Sequence, residues 1–126
     1  MPHLTLEYSN NLPEPLDLGT LFGRLHATLA ETGPFPLAQI KSRAVAHDVF
    51  RIGAGAPESI FAHLTVAIFA GRDLALQRRI SERLLAILSD AFASVRASRP
   101  CDLTVEVREM RRETYGKAAD TLPPPD

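Results

Sequence analysis

Residues 3–9, His3-Leu4-Thr5-Leu6-Glu7-Tyr8-Ser9, place Leu4, Leu6 and Tyr8 on one parity and His3, Thr5, Glu7 and Ser9 on the other. A period of two is the signature of a half-buried strand. Pro2 falls on the apolar parity. Sixty residues further on, His63-Leu64-Thr65-Val66 repeats the start of this stretch with one conservative change. A match of four residues is short, so a duplicated unit needs support from the order of the elements around each copy.

The flanking sequence supplies that support. Asn10, Asn11 and Pro13 end the first strand, and Leu18, Leu21, Phe22, Leu25 and Leu29 recur at helical spacing up to Gly33-Pro34. Asp17 is placed to cap this helix, since its carboxylate can accept a free amide of the first turn. A second strand is expected between about Ile40 and Phe50, with Lys41, Arg43, Val45, His47 and Val49 on one parity, before a loop marked by Gly53, Gly55 and Pro57. Around the second copy, residues 60–70 form an apolar, β-branched run suited to a central strand. After Gly71-Arg72-Asp73 comes a helix whose apolar stripe runs through Leu76, Ile80, Leu84, Ile87, Leu88, Ala91, Phe92 and Val95. Residues 101–108 alternate again, as a fourth strand.

Strand, helix, strand therefore occurs twice. The expected fold class is α+β: two tandem βαβ units forming a four-stranded mixed sheet with two helices on one face. The opposite face needs a cover. Val45, Val49, Ile60 and Phe69 are expected to spill onto it, and identical subunits are an economical way to bury it, so an oligomer is predicted. Residues 1–117 read as a single domain. Residues 118–126, which include Thr121-Leu122-Pro123-Pro124-Pro125-Asp126, have the composition of a flexible C-terminal tail.

A chain of 126 residues with 45% hydrophobic and 23% charged content is sized for one compact core. Fourteen basic and fifteen acidic residues nearly cancel. That balance speaks against a nucleic-acid or anionic-membrane partner, and the strands lack the paired aromatic positions on which bases stack. No apolar run is long enough to span a bilayer, and the amino end lacks the basic and apolar regions of a secretory signal, so the cytoplasm is expected. The single cysteine, Cys101, begins an alternating apolar segment and reads as a buried thiol. His3, His26, His47 and His63 show no metal-ligand spacing, and no metal is expected. Gly53-Ala54-Gly55 does not open a helix, which argues against a phosphate cradle. Ser42 lies between two cations with no base identified for it.

The chemistry concentrates at the amino end. Removal of Met1 would leave Pro2 as a terminal secondary amine, a stronger base than a primary one. Burial and nearby cations both lower an amine's pKa and so free it to act as a base near neutrality. Pro2 shares the parity of the apolar face, and Lys41, Arg43 and Arg72 stand at strand positions or ends from which a cation can reach a common pocket. Arginine grips a carboxylate with a bidentate fork, whereas lysine acts as a point charge. A base with two or three cations in an apolar pocket suits a small carboxylated substrate that gains or loses a proton. Arg78 and Arg79, on the helix, read as solvated surface charges.

Three stretches together carry a resemblance: Pro2-His3-Leu4-Thr5-Leu6-Glu7-Tyr8-Ser9-Asn10-Asn11; Gly33-Pro34-Phe35-Pro36-Leu37 followed by Ile40-Lys41-Ser42-Arg43; and His63-Leu64-Thr65 leading to Ala70-Gly71-Arg72. From Pro2 to about Lys117 the chain resembles the 5-carboxymethyl-2-hydroxymuconate isomerase family of the tautomerase superfamily. The resemblance implies a cofactor-free isomerase of homoprotocatechuate (4-hydroxyphenylacetate) degradation, assembled as a homotrimer and acting on a small carboxylated dienol. It assigns the proton transfer to Pro2 and substrate binding to Arg43 and Arg72. Lys41 stands where related sequences often carry arginine, keeping the charge without the fork. The rivals are another reaction of the superfamily, dehalogenation or decarboxylation of a small unsaturated acid, and a non-enzymatic ligand-binding protein of the same fold.

Overall fold

Strand β1 (His3–Ser9) runs parallel to β2 (Lys41–His47) on one side and antiparallel to β3 (Ile60–Phe69) on the other, and β3 runs parallel to β4 (Cys101–Met110). The order β2-β1-β3-β4 is thus a mixed sheet made of two βαβ units. Helix α1 (Leu18–Thr32) connects the first parallel pair; α2 (Leu74–Ala91) and the short α3 (Ala93–Arg96) connect the second. These elements belong to a computed structural model of the chain, which describes residues 1–118. Of the expected tail, all but Ala118 lies outside the described residues.

One face of the sheet makes the core. Leu4 and Leu6 of β1, with Ala62, Leu64, Val66 and Ile68 of β3, pack against Leu21, Leu25 and Leu29 of α1 and Ile80, Leu84 and Leu88 of α2. Each leucine withdrawn from water in this way contributes about 1.5–3 kcal/mol relative to an exposed one. Both helices start at a capping aspartate: Asp17 accepts from the Thr20 amide at 3.1 Å and Asp73 from the Leu76 amide at 2.8 Å. The apolar stripe of the second helix is interrupted at Phe92, whose non-helical backbone ends α2, and α3 then carries Val95 back to the core. Cys101 is half-buried at the edge of the core, and burial pushes its thiol pKa up.

The register fixes what shares each face. His3 is level with Lys41 and Ala67, and Thr5 with Arg43 and Thr65. The face turned away from the helices therefore carries Lys41, Arg43, Val45 and His47 beside His3, Thr5 and Glu7, then Phe61, His63, Thr65 and Ala67, then Thr104, Glu106 and Arg108. It is more polar than the expected spill of apolar residues. Ile60 does not reach it, having the core parity of β3 and only 1% exposure. Phe69 has the outward parity but is covered by its own chain, through Arg112 and Tyr115. Val45 is exposed on this face, and Val49 is exposed in the loop beyond β2. Strand β2 stops at His47 rather than near Phe50. There the Asn10 amide donates to the His47 carbonyl at 2.9 Å, and the Asn10 side chain takes up Asp48 at 2.6 Å.

Candidate active site

The start of β1, the start of β2 and the end of β3 lie at the same end of the sheet, because β1 is parallel to one neighbour and antiparallel to the other. A pocket of about 430 Å³ opens there, lined by Met1, Pro2, Pro34, Phe35, Pro36, Gln39, Ile68, Phe69, Arg72, Arg112 and Lys117. That volume suits a small molecule. The lining holds three cations and no carboxylate.

Pro2 is buried in this pocket, and its carbonyl accepts from the Lys41 amide at 3.1 Å, which ties the amino end to the neighbouring strand. Ahead of it, the Met1 ammonium donates to the Gln39 carbonyl at 3.0 Å. The pKa of that ammonium is lowered to about 6, first by burial and then by the charges of Lys41 and Lys117.

Arg72 follows β3 and sits over the Phe35 ring, with its guanidinium carbon 5.4 Å from the ring centre. Its Nε is buried without a hydrogen-bond partner among the described residues. A buried donor left unpaired is costly, and an incoming oxygen acceptor removes that cost. The loop that supplies Phe35 is held close: Gly33 leaves no room for a side chain, since a Cβ there would lie 2.7 Å from the Phe35 ring.

Of the four residues singled out from sequence, Pro2 and Arg72 line the pocket. Lys41 and Arg43 do not, because their parity on β2 matches His3 and Thr5 rather than Pro2 and Leu4. Lys41 still acts on the amino terminus through its charge, and its Nζ donates to the Gln39 carbonyl at 3.0 Å. Arg43 donates from Nη2 to His3 Nδ1 at 2.9 Å on the outward face. His47 pairs with Glu7 at 3.0 Å, away from the pocket, while His63 bonds Thr104 and Glu106 within the sheet. Ser42, for which the sequence identified no base, has His26 at 2.9 Å. That pair lies on the helix side of β2, and no carboxylate among the described residues orients the imidazole.

Sequence reasoning missed Arg112, Lys117 and the aromatic seats Phe35 and Phe69. Arg112 and Lys117 follow β4 in a segment with no periodicity. The Arg112 guanidinium carbon lies 4.4 Å from the centre of the Phe69 ring, and Lys117 Nζ donates to Gln39 Oε1 at 3.0 Å.

The double βαβ sheet thus carries, at its amino end, a pocket with three cationic side chains and no carboxylate in its lining. The same fold occurs in a fused 4-OT symmetric trimer, with a TM-score of 0.72 and 21% identity over 92% of this chain and 91% of that one. The sequence matches the model of the 5-carboxymethyl-2-hydroxymuconate isomerase family over residues 2–121, and the chain belongs to that family. It is 37% identical over 110 residues, 87% of each protein, to the 5-carboxymethyl-2-hydroxymuconate Delta-isomerase of Escherichia coli. A solved 5-carboxymethyl-2-hydroxymuconate isomerase of Deinococcus radiodurans R1 superposes with a TM-score of 0.84 at 33% identity, over 94% of this chain and 90% of that one.

Proposed function

We propose that the chain converts 5-carboxymethyl-2-hydroxymuconate to its 2-oxo-3-ene isomer in homoprotocatechuate degradation in the cytoplasm, with Pro2, exposed by removal of Met1, as the proton carrier. The observation that carries this reading is the pocket that holds buried Pro2 together with Arg72, Arg112 and Lys117 and has no carboxylate in its lining. The neutral Pro2 nitrogen takes the proton of the 2-hydroxyl, and the electron pair moves through the diene to carbon 5. The prolinium then returns a proton to that carbon, so the double bond shifts and the 2-oxo group forms without any outside reactant. One base serves both steps because the first leaves it charged for the second.

Developing negative charge meets preorganised cations, which is where electrostatic catalysis gains most. Arg72 takes a substrate carboxylate or the 2-oxygen, its unpartnered Nε finding its acceptor there.

The functional unit of this reading is a homotrimer. It is supported by the exposed outward face of the sheet and by the trimeric state of the fused 4-OT neighbour. In the trimer, Arg43 on that face serves substrate binding across a subunit boundary, and Lys41 adds charge at the rim of its own pocket.

The test is ketonisation of 5-carboxymethyl-2-hydroxymuconate by protein whose intact mass confirms loss of Met1. Pro2→Ala should keep the fold, read by circular dichroism, and lower kcat by at least about a hundredfold, as expected for removal of a positioned general base. An undiminished rate in that variant removes Pro2 from the chemistry.

A further inference from the structure

The segment after β4 builds one wall of the pocket and is anchored there by a relay from the outward face. Arg43 can only donate, so His3 Nδ1 at 2.9 Å is the acceptor and the His3 proton resides on Nε2. That Nε2–H donates to the Tyr115 hydroxyl at 2.8 Å. Tyr115 in turn meets the Phe69 ring edge-on, with centroids 5.0 Å apart. A 3-10 turn at Arg112–Thr114 closes the segment, and the Tyr115 amide returns to the Arg112 carbonyl at 3.2 Å. The anchored segment delivers two cations that neither a core strand nor a helix supplies.

The three pocket cations differ in what they act on. Lys117 bonds Gln39 and is one of the charges that depress the Met1 ammonium, so it lies close to the amino end of the chain. Arg72 stands on Phe35 with a buried, unpartnered Nε. Arg112 sits over the Phe69 ring, is not among the charges that depress the Met1 ammonium, and pairs with no carboxylate among the described residues. A guanidinium held over a ring face by cation–π attraction still has N–H donors to offer a ligand.

Resting on the isomerase reading, we infer that Arg112 is a specificity-determining residue that binds the carboxymethyl carboxylate. A hydroxymuconate has a carboxylate at each end, and the carboxymethyl arm adds a third. Cationic side chains with no acid among them suit a ligand that carries several carboxylates. Arg112, the cation set apart from the reacting nitrogen, takes the arm that plays no part in proton transfer. It reads substrate identity through a bidentate contact that 2-hydroxymuconate cannot make.

The experiment compares kcat/KM for 5-carboxymethyl-2-hydroxymuconate and 2-hydroxymuconate in the wild type, Arg112→Ala and Arg112→Lys, each checked for fold by circular dichroism. A charge-assisted contact predicts a loss of about tenfold to a hundredfold in Arg112→Ala for the carboxymethyl compound, seen mainly in KM. The simpler dienol should change by less than about twofold, and Arg112→Lys should fall between. Equal losses on both substrates, or no loss on either, overturn the assignment.

A second arm does not require turnover. Calorimetric titration should show the wild type binding tricarballylate at least about tenfold more tightly than glutarate, with the preference erased in Arg112→Ala. No preference in the wild type, or one that survives the substitution, overturns the inference. If the wild type turns over neither dienol but the preference is present and lost in Arg112→Ala, the isomerase reading fails while carboxylate recognition by Arg112 stands.

Discussion

At the scale of single residues, the site depends on an amine made less basic by its surroundings. Burial is the larger cause, and Lys41 and Lys117 add repulsion against the protonated form. On the proposed reading the Pro2 nitrogen takes the place of the Met1 ammonium at this end of β1, beside the same lysines. In the proposed mechanism the neutral amine is the active form, so the acid limb of the kcat/KM profile marks its protonation. Lys117→Ala removes one repulsive charge, so the amine pKa should rise and the limb should move to higher pH, by less than the whole depression because burial remains. A pH–rate profile, supported by NMR titration of the prolyl nitrogen, measures this. A limb that stays fixed or moves to lower pH refutes the electrostatic role of Lys117.

At the scale of elements, the turn from α1 into β2 sets the pocket roof. Gly33 has extended backbone that any residue can adopt, so only space reserves the position for glycine. Gly33→Ala places a methyl group 2.7 Å from the nearly buried Phe35 ring. The ring must yield and carry the seat of Arg72 with it. Overpacking of this kind costs about 1–3 kcal/mol. Urea denaturation should show that loss, and KM should rise alongside it; unchanged stability and KM together would mean that the ring moves freely and seats nothing. The elements themselves were legible because β1, α1, β3 and α2 each carry a long periodic signal with one buried face. Pro2 and Arg72 were legible as chemistry at the ends of such elements. Lys41 and Arg43 were assigned the right parity, but the face to which that parity points depends on the pairing of His3 with Lys41, a long-range contact with no local signal. Arg112 and Lys117 were missed for the same reason: Tyr115 holds their segment through contacts to His3 and Phe69, far away in the chain.

At the scale of the whole molecule, the outward face of the sheet is prepared for cover without being oily. Its Glu7–His47 and Glu106–His63 pairs are satisfied within the chain, leaving Thr5, Thr65 and Ala67 as small residues between them. Val49, 94% exposed, stands at the margin where a second copy would shelter it. Light scattering should give a mass about three times the 13.8 kDa of one chain. Thr65→Arg puts a bulky charge at the middle of the face and should shift the mass toward the monomer while leaving the core intact. A wild-type mass of one chain, or a variant that assembles as well as the wild type, contradicts the trimer built on this face. Loss of activity together with mass in Thr65→Arg is the further expectation if Arg43 serves a neighbouring pocket.

The pairing of Thr5 with Thr65 has a wider meaning. Leu4 faces Val66 and Leu6 faces Leu64, so the two repeated fragments are related by an internal dyad passing between the threonines. A dyad gives the sheet two equivalent ends, but a polypeptide has only one beginning. The counterpart of Pro2 is Ala62, enclosed between peptide bonds and unable to offer a free nitrogen. The repeated frame therefore offers only one position at which the proposed base can be a chain terminus. Near the other end, Asn11 instead donates to the carbonyls of Pro57 and Ser59, where the second half begins. On the proposed mechanism the frame is two-fold but its chemistry is single, because a base that is a chain terminus has no equivalent inside the second unit.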